Sequence, residues 1–343
     1  MSRIGESPGG VTAARVQQTQ TPAVRPPPPP PAPVAARRPS DTFESGHAAR
    51  RGGPALGAPA PTATPTPTPV GTAGTAVQTN GGTVADYQVG PPRRPDIHHD
   101  NGFLQNPNDP NDPTPIPTES PGLGDYAARA EWELKLNAAR AVQGIPGVPH
   151  NNIPDGLDTY DHFLHGNGAD RHFDYERFVS TDPAGQAVLT NSTRDTQQAA
   201  EAAYNQMIAQ DPSLAGKPVT FQITGSQIGV GSSEQFPYPE TENWQKAIGG
   251  HSIWNSATVT VYPPETPGGK PRFEMDMTLH AEDRYNFNPG QQDINTGTPD
   301  AANGRLERTG LGHQYTNYGT LQRHVTWNQG SPENATSRPI GGR

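Results

Sequence analysis

The stretch Phe273-Glu274-Met275-Asp276-Met277-Thr278-Leu279-His280-Ala281-Glu282-Asp283-Arg284-Tyr285 alternates apolar and polar residues along most of its length. Successive side chains of an extended chain point to opposite faces, so a period of two marks a strand with one face in a core. Phe273, Met275, Met277, Leu279 and Ala281 make the apolar face. His280, Glu282, Arg284 and Asn286 line the solvent face. Continued in phase, Asp283, Tyr285 and Phe287 fall on the core side. A carboxylate in that position must be paired, hydrogen-bonded or protonated. Arg305 and Arg323 are its candidate partners.

The same period recurs on either side. Val219, Phe221 and Ile223 alternate with polar residues, as do Ala257, Val259 and Val261, and a last strand runs roughly over Thr320–Trp327. The turn Pro263–Pro271, with Gly268-Gly269, joins two strands as a hairpin, which makes their pairing antiparallel. Upstream the period becomes helical. Gly124–Val142 carries a stripe of Tyr126, Ala130, Leu134 and Leu136, with Asp125 as its cap. Shorter pieces follow at Leu157–Leu164 and Tyr175–Val179, then an Ala/Gln-rich helix at Thr193–Gln210 that Asp211-Pro212 closes. Helices first and strands after specify an α+β fold with an antiparallel sheet.

What precedes the helices has another composition. Of the 41 prolines in 343 residues, 25 lie at or before Pro121, and residues 1–120 hold three aromatics, Phe43, Tyr87 and Phe103. Such a segment buries too little apolar surface to offset the roughly 1–2 kcal/mol per residue lost on ordering a backbone. The expectation is a disordered Pro/Thr/Ala-rich arm over 1–120, one compact domain over 121–335 and a flexible tail over 336–343. Within the arm, Pro26–Pro31 reads as a stiff polyproline rod and Thr62–Pro69 as an extended spacer.

Charge divides in the same way. Residues 1–120 balance nine Arg against nine Asp/Glu, so the net charge of −9 belongs to the domain. An acidic domain lacks the basic footprint that nucleic acid and anionic membranes require, so neither is an expected partner. The chain has no cysteine, which excludes disulfides, thiolate catalysis and Cys-ligated metal. No apolar run is long enough for a transmembrane segment. The start, Met1-Ser2-Arg3-Ile4-Gly5, lacks the apolar core of a secretory signal, so export would use another route, from the cytoplasm.

Chemistry concentrates in His280–Trp327. Beside Asp283 and Tyr285 this segment holds Arg305, Glu307 and His313, a set able to perform acid–base catalysis if it converges in a cleft. Asp161, His162 and His165 offer an Asp–His set on one short helix, and Asn286–Asn303 an oxygen-rich loop for Ca²⁺. Neither has a known metal spacing, so no cofactor is implied and metal dependence stays open. Trp244, His251 and Trp254 line either a pocket or the core.

The string Asp283-Arg284-Tyr285-Asn286-Phe287-Asn288 resembles the Asp-x-Tyr-Asp-Phe-Asn signature of colicin M-type bacteriocins. The second Asp of that signature is Asn286 here, and Gln292-Asp293 stands where the family has His-Arg. The resemblance implies hydrolysis of a lipid-linked cell-envelope precursor, with an immunity protein as a further partner. The layout also resembles secreted bacterial effectors, in which a Pro/Thr-rich arm precedes a cargo domain. The expected function is therefore an exported effector or toxin acting on a cell-envelope or other target-cell component, either as a hydrolase or as a membrane- or envelope-acting protein. The alternative is a non-enzymatic binding or structural domain, with a protein partner, displayed on a spacer.

Overall fold

The computed structural model describes residues 68–109 and 111–340. Helices come first: α1 (Leu123–Ala141), α2 (Pro154–His165), α3 (Tyr175–Thr181) and α4 (Pro183–Gln210). Two short strands, β1 (Thr68–Pro69) and β2 (Tyr87–Val89), precede them, and β3 (Arg171–Phe173) lies between α2 and α3. The sheet then builds from β4 (Val219–Gly225), β5 (Ile228–Val230), β6 (His251–Tyr262), β7 (Arg272–Tyr285), β8 (Tyr315–Asn328) and β9 (Thr336–Pro339). Two further helices, α5 (Glu242–Ala247) and α6 (Ala301–Arg308), lie before β6 and between β7 and β8. The chain is α+β, as its two successive periods require.

Among the described residues nine strands form one sheet, with β4-β6-β7-β8 at its centre. These four are antiparallel neighbours; β1 and β3 join the edges as parallel pairs. Phe273, Met275, Met277 and Leu279 are fully buried in the main core, against Ala199, Ala200, Ala203 and Tyr204 of α4. A second apolar cluster joins Trp132 and Leu136 of α1, Tyr160 and Phe163 of α2 and Leu306 of α6 to Tyr285, Phe287 and Tyr315 at the sheet's end. The register of β7 thus follows the period of two, and its longest run of alternation sits where the sheet is most central.

Several expectations are corrected. Residues 70–105 are not an arm outside the core. Val77, Ala85, Tyr87, Val89 and Ile97 are buried, and β2 pairs with β4. The segment has few apolar residues, but it inserts them into a core that α4 and β4 supply. Tyr87 shows how: its hydroxyl meets Asp195 Oδ2 and Thr196 Oγ1 of α4, both at 3.1 Å, while Asp195 accepts the Val84 N–H at 2.5 Å. The polyproline rod, and the spacer up to residue 67, lie outside the described residues. Nor is 336–339 a tail: β9 pairs with β8.

The helices are corrected too. Asp125 is not the cap of α1 but sits at its third position, where its carboxylate accepts the Gly122 N–H at 2.8 Å. The buried stripe is Trp132, Leu136 and Ala139, while Tyr126 and Leu134 are exposed. Helix α4 begins ten residues earlier than expected because Pro183 opens it rather than breaking it. At the first position proline's missing N–H costs nothing, and Asp182 caps the turn through the Ala184 N–H at 2.9 Å.

Candidate functional site

The alternation that buries Met277 sends His280, Glu282 and Arg284 to the opposite face of β7. That face is not simply solvent-exposed: Glu282 and Asn286 are buried. The cover is the segment after β2. Thr224 Oγ1 donates to the Pro91 carbonyl at 3.2 Å, and Asn286 Nδ2 reaches Asp100 Oδ1 at 2.7 Å. Gln314 Nε2 takes the Asn101 carbonyl at 2.6 Å, and the Phe103 N–H donates to Phe287 O at 3.1 Å. Residues 91–103 therefore run as a strap over one end of the polar face.

Under the strap, Arg94 donates to both oxygens of Glu282, Nη2 to Oε1 at 2.6 Å and Nε to Oε2 at 2.8 Å. His99 Nε2 meets Glu282 Oε1 at 2.7 Å. The Glu282 side chain is 4 % exposed, against 46 % for Arg94 and 20 % for His99. Burial by itself would raise the carboxyl, but the hydrogen bonds and charges of Arg94 and His99 outweigh it and hold it at about 2. Glu282 is thus ionised throughout the neutral range and can only accept. His99 must then carry its proton on Nε2, which leaves Nδ1, without a partner among the described residues, as an acceptor when the ring is neutral.

Around this carboxylate the neighbouring strands add Tyr318 of β8 and Ser252 of β6, both in register with Glu282. Tyr318 lies beside His172 of β3, ring centroids 5.8 Å apart. Burial, then the charge of Glu282, raises its phenol. One step along β7, His280 stacks on Trp254 with centroids 3.7 Å apart, and its Nε2 meets Ser256 Oγ at 3.0 Å. Burial pulls this imidazole down to about 4, so it is neutral at physiological pH.

The residues singled out from the sequence do not converge. Asp283 and Tyr285 face inward on β7 and are buried. Tyr285 stacks on Tyr315 with centroids 5.3 Å apart, and burial pushes its phenol well above the usual range. Glu307 is buried elsewhere, accepting the Phe287 N–H at 2.9 Å and Gln314 Nε2 at 3.3 Å, and burial raises its carboxyl well above normal. Arg305 does not pair with Asp283: it ties α6 to α1 through Asp125 at 2.6 Å. Arg323 pairs with Glu176 at 2.7 Å. His313 sits by the end of α2, its N–H on Phe163 O at 2.9 Å, and burial, then Arg129, lowers its imidazole.

The metal candidates are engaged otherwise. His165 bonds Asp161 at 3.0 Å, and His162 takes the Ala169 carbonyl at 2.6 Å. In the Asn/Asp-rich loop, Asp293 is the buried partner of Lys246 at 2.5 Å. Among the described residues no group of three or more His, Asp or Glu is arranged to hold a metal. No described helix is long and apolar enough to cross a membrane.

Sequence reading missed Arg94 and His99 because they fall in the presumed arm. Their signal was present in Arg93-Arg94-Pro95-Asp96-Ile97-His98-His99-Asp100, a dense charged run interrupted by one isoleucine, which proves to be buried. Comparison of the chain with protein-family models, curated proteins and solved structures gives no match.

Proposed function

We propose that this chain is an effector- or toxin-like hydrolase whose acid–base site is the Glu282 cluster under the strap. The observation that carries the reading is the Arg94–Glu282–His99 arrangement, in which a buried ionised carboxylate fixes the tautomer of a partly exposed imidazole. His99 takes a proton from water through Nδ1 as the water attacks the substrate. Glu282 orients the ring and stabilises the imidazolium that forms, the part a buried carboxylate plays in hydrolytic triads. Arg94 is the exposed cation beside it, placed to stabilise negative charge on the attacked group. His280, neutral and stacked on Trp254, forms a wall of the site rather than its base. The substrate is a target-cell component, with an envelope precursor the first candidate.

The test is expression of the full chain in the bacterial cytoplasm and, separately, in the periplasm, scored by growth. The native chain arrests growth in one compartment. His99→Ala loses the arrest while melting within a few degrees of the native protein. A native chain that is harmless in both compartments, or a His99→Ala variant of full potency, defeats the proposal. A second reading, a binding domain without catalysis, draws on the rest of this face. There Thr220 and Thr260 meet at 3.0 Å, Gln322 donates to Thr278 at 3.3 Å, and His324 pairs with Asp276 at 2.7 Å, forming a polar surface that is itself closed by its own contacts. On that reading the His99 substitution changes nothing.

A further inference from the structure

A cavity of about 190 Å³ lies on the other side of the sheet from Glu282, bounded by α2, α3, α5 and the edge strand β3. Asn317 of β8 reaches it from the sheet and is fully buried, yet its side-chain nitrogen has no hydrogen-bond partner among the described residues. A buried amide left without an acceptor is costly, and native folds keep few such groups without a reason. Beside it stands Arg171, whose Nη1 makes two long contacts, 3.3 Å to Thr159 Oγ1 and 3.5 Å to Asn317 Oδ1. No carboxylate among the described residues pairs with that guanidinium.

The acids of the cavity wall are already engaged. Asp155 takes Arg177 Nε at 3.2 Å and Asn243 Nδ2 at 2.7 Å, and Asp174 caps α3 through the Arg177 N–H at 3.1 Å. Asp283, in register with Asn317 on β7, does not line the cavity. What the site lacks is an acceptor, and a planar fork of donors matches a carboxylate. Trp244 and Phe173 supply an apolar wall. The volume lies below the roughly 300–1,000 Å³ of pockets for drug-sized ligands, so the occupant has few heavy atoms. With Asp155 and Asp174 nearby, a singly charged planar anion suits the wall better than a dianionic phosphate.

We propose that this cavity binds a small carboxylate, held by the Arg171 guanidinium and by Asn317 Nδ2. Arg171 and Asn317 take no part in the Glu282 cluster; His172 alone borders both, lining the cavity and lying beside Tyr318. The test uses the full chain and sodium propionate, replacing NaCl at constant ionic strength, followed by thermal melting and titration calorimetry. Propionate should raise the melting temperature saturably, with a midpoint on the order of millimolar for so small a ligand. Arg171→Gln should weaken binding at least tenfold. Asn317→Ala should weaken it at least tenfold; its ligand-free melting temperature falls somewhat, because Oδ1 also accepts from Arg171 and the site is fully buried, so binding is read against each variant's own ligand-free value. His99→Ala should respond to propionate as the native protein does. No rise beyond the NaCl control, an equal rise with phosphate, or full binding in Asn317→Ala would overturn the assignment. If Arg171→Gln does not fold, the Asn317 variant alone decides.

Discussion

His280 and Glu282, two residues apart on one face of β7, respond to acid in the same direction. His280 is held at about 4, below its ordinary 6.5, so the unfolded chain binds the extra proton first. Its contribution is complete above pH 6.5 and is lost as pH falls through 4. Glu282, held at about 2 below an ordinary 4.5, contributes fully above pH 4.5 and loses its share as pH falls through 2. Stability should therefore begin to drop below pH 6.5, before any ordinary carboxylate titrates. His280→Asn should flatten the fall between pH 6.5 and 4 without altering the steeper one below it, as melting temperatures at pH 7, 5 and 3 will tell. An unchanged slope would mean that His280 is not buried as a neutral ring. Tyr285 gives an independent check, because its buried hydroxyl has no partner among the described residues. Tyr285→Phe should be neutral or stabilising by up to about 1 kcal/mol, where loss of a made hydrogen bond would cost about that much.

Strand β7 was the most legible element because its period of two persists until Ala281, and the packing against α4 obeys it. Met277 is fully buried and Thr278, its neighbour, is half-buried on the polar face. Met277→Asp should unfold the chain, since a lone buried charge costs several kcal/mol. Thr278→Asp should shift stability by less than about 1 kcal/mol. Equal losses in urea denaturation would put the strand in the wrong phase. The same period gave the inward direction of Asp283 and Tyr285, but not their surroundings. Which side chains meet across strands depends on tertiary placement: Arg305 left the expected pairing for Asp125 because α6 packs beside α1. Strand β2 left almost no periodic trace, being three residues long, and its burial follows from β4 and α4. Proline misled at the start of α4: it forbids a helix interior but favours a helix start, and Pro183 opens the helix ten residues before its expected beginning.

At the scale of the molecule, the unexpected feature is that the sheet and its polar site both depend on residues 70–105, which composition assigned to an arm. Composition counts what a segment buries within itself, whereas these residues bury themselves in others. Val77, Ala85, Tyr87, Val89 and Ile97 enter cores built by later elements, and Arg94 and His99 neutralise Glu282. Removing them should have two separable effects. A chain beginning at residue 68 keeps every buried contact described here and should melt like the full chain. One beginning at residue 102 loses five buried apolar side chains, of which the larger are worth about 1.5–3 kcal/mol each. That loss rivals a whole domain's net stability of about 5–15 kcal/mol. It also leaves Glu282 and Asp195 without their partners. The shorter chain should therefore be unfolded or aggregated at 25 °C by circular dichroism. The double variant Arg94→Ala/His99→Ala keeps the apolar contacts and should stay folded, with Glu282 titrating well above its native position because burial then acts on it without an offsetting partner. Limited proteolysis of the full chain should in turn give a resistant fragment that starts before residue 77. A stable fragment starting after residue 105, with its melting temperature intact, would return this segment to the arm and take the Glu282 site with it.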